Sequence, residues 1–403
     1  MNKNISRRKF LTMAALAGAG VAGASMVPQI FAQEATATPE ATAAALPPAP
    51  APGPLTADAA GGMDALVAAA NKEGGLSVIA LPDDWADYKD MKDNFKAKYP
   101  DIAAGFQDLN PDGSSAQEVA AIQANAGNSG PQNPDVIDVG FAWGAQAKAA
   151  GLLQPYKVAT WDTIPDSLKD PDGYWYGDYY GKISFEVNAD QVTNVPQDWS
   201  DLLKPEYKGL IAMPSDPSTA AEAAYVVWLA ALANGGSVDD PTPGMEFFKK
   251  LAESGNLILT RATAATVARG DTPITMRWDY NALADRDANK DTANVSVAYP
   301  TSGTIAGVYV QAISAYAPRP NAARVWMEYL YSDEGQLVWY KGYATPVRYD
   351  DLVKRNVVPA DLMSKFPKAD VPVALPTLDQ VNKALATINA QWNSIVGVTV
   401  NAS

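Results

Sequence analysis

Apolar residues recur along the first half of the chain in two alternating patterns. Short apolar runs predict strands, and longer segments with apolar residues at a spacing of three to four predict helices. The strands are expected at 76–81, 102–109 and 136–140, and the helices at 63–72, 85–99, 115–126 and 144–150. Strand–helix–strand repetition of this kind predicts a mostly parallel sheet with helices packed against it.

The same alternation returns after an aromatic stretch from Tyr174 to Tyr180. Strands are expected at 182–188, 210–213, 274–278, 295–299 and 307–314, and helices at 219–232, 246–254, 266–269, 321–331, 334–341 and 378–393. Two capping boxes, Ser115-x-x-Glu118 and Thr219-x-x-Glu222, are expected to begin the helices that follow them. The pattern predicts an α/β protein, and 403 residues are enough for two domains.

The N-terminal segment has the pattern of an export signal. Residues 6–11 read Ser-Arg-Arg-Lys-Phe-Leu and precede an uncharged stretch of small residues at 12–27. This stretch is too short and too weakly apolar for a membrane span, so residues 1–33 are interpreted as a twin-arginine signal peptide. The expected partner is the twin-arginine export machinery, and the expected location is the periplasm or the extracellular side.

A segment rich in Ala, Pro and Thr separates the signal from the folded body. Residues 34–62 have almost no charged or large apolar side chains, which predicts a disordered and fairly stiff spacer. The chain contains 0 Cys, so it has no cysteine to carry a lipid anchor. We expect the protein to be either free after cleavage or tethered by an uncleaved signal.

Composition excludes several kinds of chemistry. With 0 Cys and 0 His, the chain has no thiolate or His-ligated metal site, no cysteine nucleophile and no Ser-His-Asp triad. The formal net charge is -14, and it falls to near -18 without the four basic residues of the signal. This acidity opposes nucleic-acid binding. We expect no nucleic-acid partner, no metal and no cofactor.

Candidate binding residues follow the ends of five predicted strands. In open α/β sheets, ligands bind beyond the carboxyl ends of the strands. The loops there predict a ligand site made of Asp84, Trp85, Ser115, Trp143, Asp216, Ser218, Trp278, Asp279 and Tyr280. Aromatic faces with carboxylates suit an organic cation. Hydroxyls and free N–H groups at helix starts would instead suit an anion, so the residues alone leave the charge of the ligand open.

Three segments carry a resemblance to a known family. They are NPDVIDVGFAWGAQAKAAGLLQPY at 133–156, VPQDWSDLLKPEYKGLIAMPSDPS at 195–218 and APRPNAARVWMEYLYSDEGQLVWYKGYATPVR at 317–348. Over roughly residues 65–370, the chain resembles the extracellular (periplasmic) solute-binding proteins of ABC transporters, in the group related to iron-binding and polyamine-binding proteins.

The resemblance implies a two-lobe periplasmic-binding-protein type II fold with a ligand cleft between the lobes. Lobe 1 would comprise 63–184 and 308–332, and lobe 2 would comprise 185–307 and 333–403. The strands that cross between the lobes would lie near 183–188 and 307–314. The resemblance also implies that Trp85, Trp143, Asp216, Trp278, Asp279 and Tyr280 face the cleft, with Tyr180 beside the first crossing.

The function implied by the resemblance is that of a monomeric receptor without catalytic activity. It would capture a small-molecule solute by hinge closure and deliver it to a membrane permease and its ATPase. The expected solute is a polyamine-like organic cation, with Asp216 and Asp279 as charge partners. Ferric iron and a phosphonate-type anion are the alternatives, although iron-binding relatives use adjacent tyrosines where Tyr343 here stands alone. A hydrolase of another class, an exported glycosidase with paired carboxylates, is the remaining alternative.

Overall fold

The computed structural model describes residues 46–366 and 371–401. The helices are α1 (Met63–Glu73), α2 (Tyr88–Lys98), α3 (Pro100–Ala103), α4 (Ser115–Asn125), α5 (Phe141–Ala149), α6 (Ala221–Ala233), α7 (Thr242–Glu253), α8 (Ala264–Arg269), α9 (Asp279–Asn289), α10 (Pro320–Leu330), α11 (Asp333–Lys341), α12 (Tyr349–Lys354), α13 (Ala360–Met363) and α14 (Leu378–Ile395). The strands are β1 (Leu76–Ile79), β2 (Phe106–Leu109), β3 (Val136–Gly140), β4 (Leu153–Gln154), β5 (Tyr176–Asn188), β6 (Ile211–Ala212), β7 (Leu257–Ile258), β8 (Ile274–Trp278), β9 (Val295–Ala298), β10 (Thr304–Ser314), β11 (Thr345–Pro346) and β12 (Val373–Ala374).

The predicted signal peptide and the first part of the predicted spacer, up to residue 45, lie outside the described residues. In the part of the chain that the structure describes, no helix combines the length and the apolar character needed to cross a membrane.

Two long strands, β5 and β10, run side by side and connect the two halves of the body. They pair antiparallel from Tyr176 opposite Gln311 to Lys182 opposite Ala306. Beyond Lys182, β5 changes partners and pairs with β8 and β9. The far end of β10 pairs with β3 and β4. These are the crossing strands of a two-lobe α/β fold, and β5 begins six residues before its predicted start at Lys182.

Each half surrounds its own strands with helices. On one side, β1 and β2 form a parallel pair next to β3, with α1, α2, α4, α5 and α10 around them. On the other side, β6 pairs in parallel with β7 and β8, and α6, α7 and α9 cover this sheet. Helix α14 packs against α6 and α7 and also touches α5, so it bridges the two halves.

The position of α11 differs from the lobe boundaries expected from the sequence, which put residues 333–403 into lobe 2. This helix packs against α2 and α10, and its Trp339 ring lies 6.3 Å from the ring of Tyr88. Trp339 is fully buried there. We therefore assign α11 to lobe 1, because its apolar face completes the core of that half.

Helix α6 is apolar on every side and lies inside its lobe. Residues 223–231 are all buried, as expected for a helix without a polar face. Its neighbour α7 approaches closely at Gly244, where a Cβ atom would lie 1.9 Å from the carbonyl oxygen of Val227. The packing fixes α6 with its N-terminus directed at the region between the lobes, where Ala221 borders a cavity.

Residues 46–57, which we call the strap, differ from the predicted disordered spacer. The strap lies against lobe 1 without regular secondary structure. Tyr316 Oη donates to the carbonyl of Pro47 at 2.7 Å, and Arg324 Nε donates to the carbonyl of Pro54 at 2.9 Å. The prediction considered side-chain burial alone, whereas backbone carbonyls of any sequence can accept hydrogen bonds from a neighbouring surface.

Candidate functional site

A small aromatic cavity lies between the lobes, where the crossing strand β10 meets the starts of helices. It is lined by Gly140, Phe141, Ala142 and Trp143 of lobe 1, by Ala221, Tyr225 and Trp278 of lobe 2, by Gly307, Val308 and Tyr309 of β10, and by Val381 and Leu385 of α14. Its volume is about 20 Å³, roughly the space of one water molecule. A larger solute therefore requires these side chains, or the two lobes, to move apart.

Trp85 reaches from lobe 1 to lobe 2 beside this cavity. Its ring lies 5.3 Å from the ring of Tyr280 and 5.9 Å from that of Tyr309, both edge to face. The indole Nε1 donates to Tyr179 Oη at 2.8 Å, which fixes the orientation of the ring. The structure thus brings Trp85 and Tyr280 together across the cleft.

Two glycines on the crossing strands leave room for the aromatic rings of lobe 2. A Cβ atom at Gly307 would lie 2.2 Å from Trp278 Cη2, and one at Gly181 would lie 2.4 Å from Tyr280 Cε1. Both distances are far below an ordinary carbon–carbon contact of about 3.5–4.0 Å. Sequence reasoning missed these positions, because a glycine within a strand gives no sign of which ring it faces.

Asp279 is buried and connects the start of α9 to the crossing strand β5 and to Tyr299, which follows β9. Its Oδ1 accepts from the backbone N–H groups of Lys182 and Tyr280 at 2.9 and 3.0 Å, and its Oδ2 accepts from Tyr299 Oη at 2.6 Å. Burial raises the pKa of Asp279, while Lys182 and these hydrogen bonds act in the opposite direction. These contacts hold the carboxyl in place, and its role as charge partner for a cation stays a prediction.

Asp216 is also occupied by the protein itself. Its Oδ1 accepts from the backbone N–H of Ser218 at 2.9 Å and from the Ser218 hydroxyl, and its Oδ2 accepts from the N–H of Val400 at 2.9 Å. Both predicted residues of this loop, Asp216 and Ser218, therefore hold a turn and the C-terminal segment in place. Neither borders the aromatic cavity.

The remaining predicted site residues, Ser115, Tyr180 and Asp84, do not border the aromatic cavity. Ser115 Oγ accepts from the N–H of Gly140 at 3.0 Å, which joins α4 to the end of β3. Tyr180 stands opposite Thr345 of β11, and burial raises the pKa of Tyr180 to about 12. Asp84 is exposed on the loop after β1.

Both predicted capping boxes are wrong in detail. The N-cap of α4 is Ser114, whose N–H donates to Gln117 Oε1 at 2.8 Å. Helix α6 follows Ala220 without a side-chain cap. Its Glu222 instead accepts from the N–H of Trp278 at 2.9 Å. Glu222 thus binds the backbone at the end of β8, where α9 begins. The spacing of residues within α6 does not predict this contact.

Helices α5, α6 and α9 all begin beside the cavity. None of them has a side-chain hydrogen bond from its own N-cap residue. Within residues 46–366 and 371–401, no side chain accepts from the N–H groups of residues 141–143 or 221–223. The first N–H groups of a helix have no intrahelical partner and carry the positive end of the helix dipole. The starts of α5 and α6 are therefore the polar groups best placed to meet a ligand in this cavity.

Comparison with known proteins agrees with this architecture. The family model for bacterial extracellular solute-binding proteins matches residues 132–371, which is more than half of the chain. The chain belongs to this family. The resemblance expected from the sequence is confirmed, and so is the α/β two-lobe fold.

Relatives of this solute-binding protein are named for different ligands. Iron uptake protein A2 of Synechocystis sp. is 28% identical over 268 residues, 59% of this chain and 70% of that protein. The sulfate-binding protein of Salmonella typhimurium is 25% identical over 274 residues, 64% of this chain and 76% of that protein. A similar fold is found in the periplasmic binding protein AfuA from Actinobacillus pleuropneumoniae, whose structure has fructose-6-phosphate bound. The TM-score is 0.61 at 20% sequence identity, and the match covers 80% of this chain and 99% of AfuA.

Proposed function

We propose that this protein is the solute receptor of an ATP-driven importer, and that its solute is a small organic oxyanion. The observation that carries the proposal is the convergence of the α5 and α6 starts on an aromatic cavity. Backbone N–H groups at helix starts bind phosphate, sulfate and carboxylate groups. The flanking rings of Trp143 and Trp278 suit an apolar or flat part of the same solute. In this proposal, the N-terminal signal exports the folded receptor, which then docks on a permease with its ATPase.

The proposed mechanism is hinge closure about β5 and β10. Trp85 of lobe 1 contacts Tyr280 of lobe 2, and such an aromatic pair contributes roughly 0.5–1.5 kcal/mol beyond its buried area. This contact is lost when the lobes separate, so it favours closure. A solute shifts the equilibrium further only if it gains contacts in the closed form that the open form lacks. A solute held by α5 of lobe 1 and α6 of lobe 2 meets this condition.

The relatives support an oxyanion in general terms only. The sulfate-binding protein and the structure with fructose-6-phosphate are named for ligands that carry such a group. Iron uptake protein A2 is named for iron. The iron alternative has less support from the geometry, because Tyr343 donates to Asp287 and packs 5.7 Å from the ring of Phe366, away from the aromatic cavity.

A polyamine-like cation is the second candidate, and it depends on a different observation. The charge of Asp84 in lobe 1 acts on Asp285, which lies on α9 of lobe 2. Burial, and then the charge of Asp84, raise the pKa of Asp285, while Arg277 lowers it. Arg277 Nη1 already lies 2.6 Å from Asp285 Oδ2, so this pair has a cation of its own. With Asp216 and Asp279 engaged as well, the carboxylates near the cleft are poorly placed for a polyamine.

A thermal-shift screen followed by calorimetric titration tests the proposal. The panel contains sulfate, phosphate, fructose-6-phosphate, a phosphonate, putrescine, spermidine and ferric citrate. We expect at least one organic oxyanion to stabilise the protein and bind in titration. Stabilisation by the polyamines alone would refute the anionic proposal in favour of the cationic one. Turnover in a parallel panel of glycosides would favour the hydrolase instead.

The role of the α6 start is tested by Ala221→Pro. Proline is accepted at the first position of a helix, and Ala220 before it has the extended backbone that proline requires (φ -122, ψ 128). The variant removes one N–H, and losing a hydrogen bond to a charged group costs about 1.5–3 kcal/mol, or roughly 10- to 100-fold in affinity. The matched control Ala221→Ser keeps the N–H and is expected to bind normally. Equal affinities for the two variants would contradict the role of this helix start.

A further inference from the structure

A cluster of buried acidic side chains lies behind Trp85, outside the aromatic cavity. Asp138 on β3 is 6% exposed, and Asp178 on β5 is fully buried within hydrogen-bonding reach of it. Glu118 on α4 accepts from the N–H of Asp138 at 2.8 Å. In the described part of the chain, none of the three carboxyls lies within ion-pair distance of a Lys or Arg side chain. The mechanism proposed above uses none of them.

Two oxygens of this cluster are buried without a hydrogen-bond partner. They are Asp138 Oδ1 and Gln311 Oε1. The amide nitrogen of Gln311 donates to Asp178 Oδ2 at 3.1 Å and to Tyr88 Oη at 3.0 Å, so this side chain is held beside both acids. Two neighbouring carboxylates without a cation repel each other strongly in a buried site. A proton shared between the carboxyls removes this repulsion and satisfies an oxygen that otherwise has no donor.

A hydrogen-bond chain connects this acid pair to the cleft. Trp85 Nε1 donates to Tyr179 Oη at 2.8 Å. The same hydroxyl lies 3.4 Å from Asp138 Oδ2, which also accepts from Tyr88 Oη at 2.7 Å. Because the indole nitrogen can only donate, Tyr179 must accept from it and direct its own hydrogen elsewhere, with Asp138 as the acceptor in reach. Tyr179 is therefore a positioning residue for Trp85.

We propose that Asp138 and Asp178 share one proton, and that this proton sets the position of Tyr179 and, through it, of the cleft residue Trp85. When Asp138 gives up its own proton, the pair passes from two protons to the single shared one, and the hydrogen-bond chain that ends at Trp85 rearranges. The ligand of this site is thus a proton, and its binding or release changes the position of Trp85 in the wall of the cleft. The inference extends the proposed function, since Trp85 matters for solute binding only if the cleft binds the solute.

The surroundings of the pair determine where the proton is lost. The titratable groups that face it are Tyr88 from α2, Glu118 from α4, Tyr179 from β5, Tyr309 from β10 and Tyr331 after α10. Burial raises the pKa of Asp138 to about 7, although hydrogen bonds from Tyr88 and Tyr179 act in the opposite direction. Burial together with the Asp138 charge raises the pKa of Asp178 well above its usual range. Asp138 therefore gives up its own proton near neutral pH while Asp178 keeps the proton that the pair then shares, and the change at Trp85 is expected there.

The test follows the indole N–H of Trp85 by NMR in the solute-free protein with 15N-labelled tryptophan. The signal is assigned by its loss in Trp85→Phe. Between pH 5 and 9, we expect this signal to shift with a midpoint near pH 7 in the wild-type protein. The shift should be absent in Asp138→Asn, which cannot release this proton, and its midpoint should move in Asp178→Asn, which has no proton to share. It should persist in the control Glu118→Gln, because Glu118 makes no contact with Tyr179 in the hydrogen-bond chain.

A Trp85 signal that stays constant from pH 5 to 9, or that titrates unchanged in Asp138→Asn or in Asp178→Asn, would overturn the inference. If these variants do not fold, Tyr179→Phe gives the same answer, since it breaks the chain without changing the charge of the pair. Once a solute is known, each unit of pKa difference between the free and bound forms changes its affinity about tenfold. The NMR measurement needs no solute, so a failed solute screen and a failed proton-sharing pair are distinguishable.

Discussion

Replacement of Gly307 by alanine is expected to push a methyl group into the ring of Trp278. The added Cβ would lie 2.2 Å from Cη2, 2.8 Å from Cζ2 and 3.0 Å from Cζ3 of that ring. Since carbon atoms in contact are about 3.5–4.0 Å apart, the ring must move by more than ~1 Å. Trp278 is 1% exposed and lies between Tyr225 at 5.2 Å and Tyr280 at 6.5 Å, so it has little room to move.

The expected cost follows from this overpacking. Inserting a methyl group into a well-packed core destabilises proteins by about 1–3 kcal/mol, and we expect Gly307→Ala to lower the free energy of unfolding by this amount. Urea unfolding followed by circular dichroism measures it. The matched control is Gly140→Ala in the same cavity wall. There the nearest atoms would be 3.9 Å from the new Cβ, and φ is -56°. A change within about 0.5 kcal/mol is expected for the control.

A double mutant separates the ring contact from other effects of the substitution. Trp278→Phe removes the ring atoms that the new methyl group would meet. In this background, Gly307→Ala should cost at least about 1 kcal/mol less than in the wild-type protein, because contacting residues show coupling energies of this size. The reasoning is refuted if Gly307→Ala unfolds at the same urea concentration as Gly140→Ala, or if the two changes are additive.

Three further predictions concern stability. Asp279→Asn is expected to cost about 1–3 kcal/mol in urea unfolding, because the amide oxygen can replace Oδ1 for Lys182 and Tyr280 but the amide nitrogen cannot accept from Tyr299 as Oδ2 does. An unchanged midpoint would contradict this. Removal of residues 1–57 is expected to lower the melting temperature relative to removal of residues 1–45. The longer deletion removes the strap carbonyls that accept from Tyr316 and Arg324, and each of these hydrogen bonds contributes about 1 kcal/mol. Equal melting temperatures would show that the strap does not stabilise the fold. Between pH 5.5 and 8.5 the proton on Asp138 should by itself lower the free energy of unfolding by about 2 kcal/mol, since the folded protein keeps this proton up to about pH 7 whereas the unfolded chain releases it near pH 3.8. Asp138→Asn should remove this contribution, and an unchanged pH dependence in that variant would contradict it.

The elements that sequence reasoning predicted best are those with a continuous apolar run. Strands β3 and β8 occupy the predicted residues 136–140 and 274–278, since each run is buried by neighbours on both sides. The first half of β5 was missed, because Tyr176–Gly181 mixes aromatic, polar and glycine residues. Its strand character depends on pairing with β10, more than one hundred residues away, and no local pattern encodes that pairing.

The aromatic part of the candidate site was also accessible from the sequence. Trp85, Trp143, Trp278 and Tyr280 follow the ends of strands whose carboxyl edges meet between the lobes, and the structure places them around one aromatic region. Tyr309 and Tyr225 were missed, since one lies within a strand and the other within a helix. Their side chains reach the cavity only because β10 and α6 are positioned by long-range packing.

The carboxylates show why residue type alone does not determine the charge of a ligand. Asp216 and Asp279 occupy strand-end loops, as a cation site would require. The partners that engage them come from positions 184 and 97 residues away, at Val400 and Lys182. Backbone N–H groups of distant segments thus already engage both carboxylates. The opposite holds for the starts of α5 and α6. In the described part of the chain, no side chain accepts from the N–H groups of residues 141–143 or 221–223, and the carboxylate of Glu222 in the first turn of α6 accepts from Trp278 instead. A cleft lined by engaged carboxylates and free helix starts favours a negatively charged group on the solute.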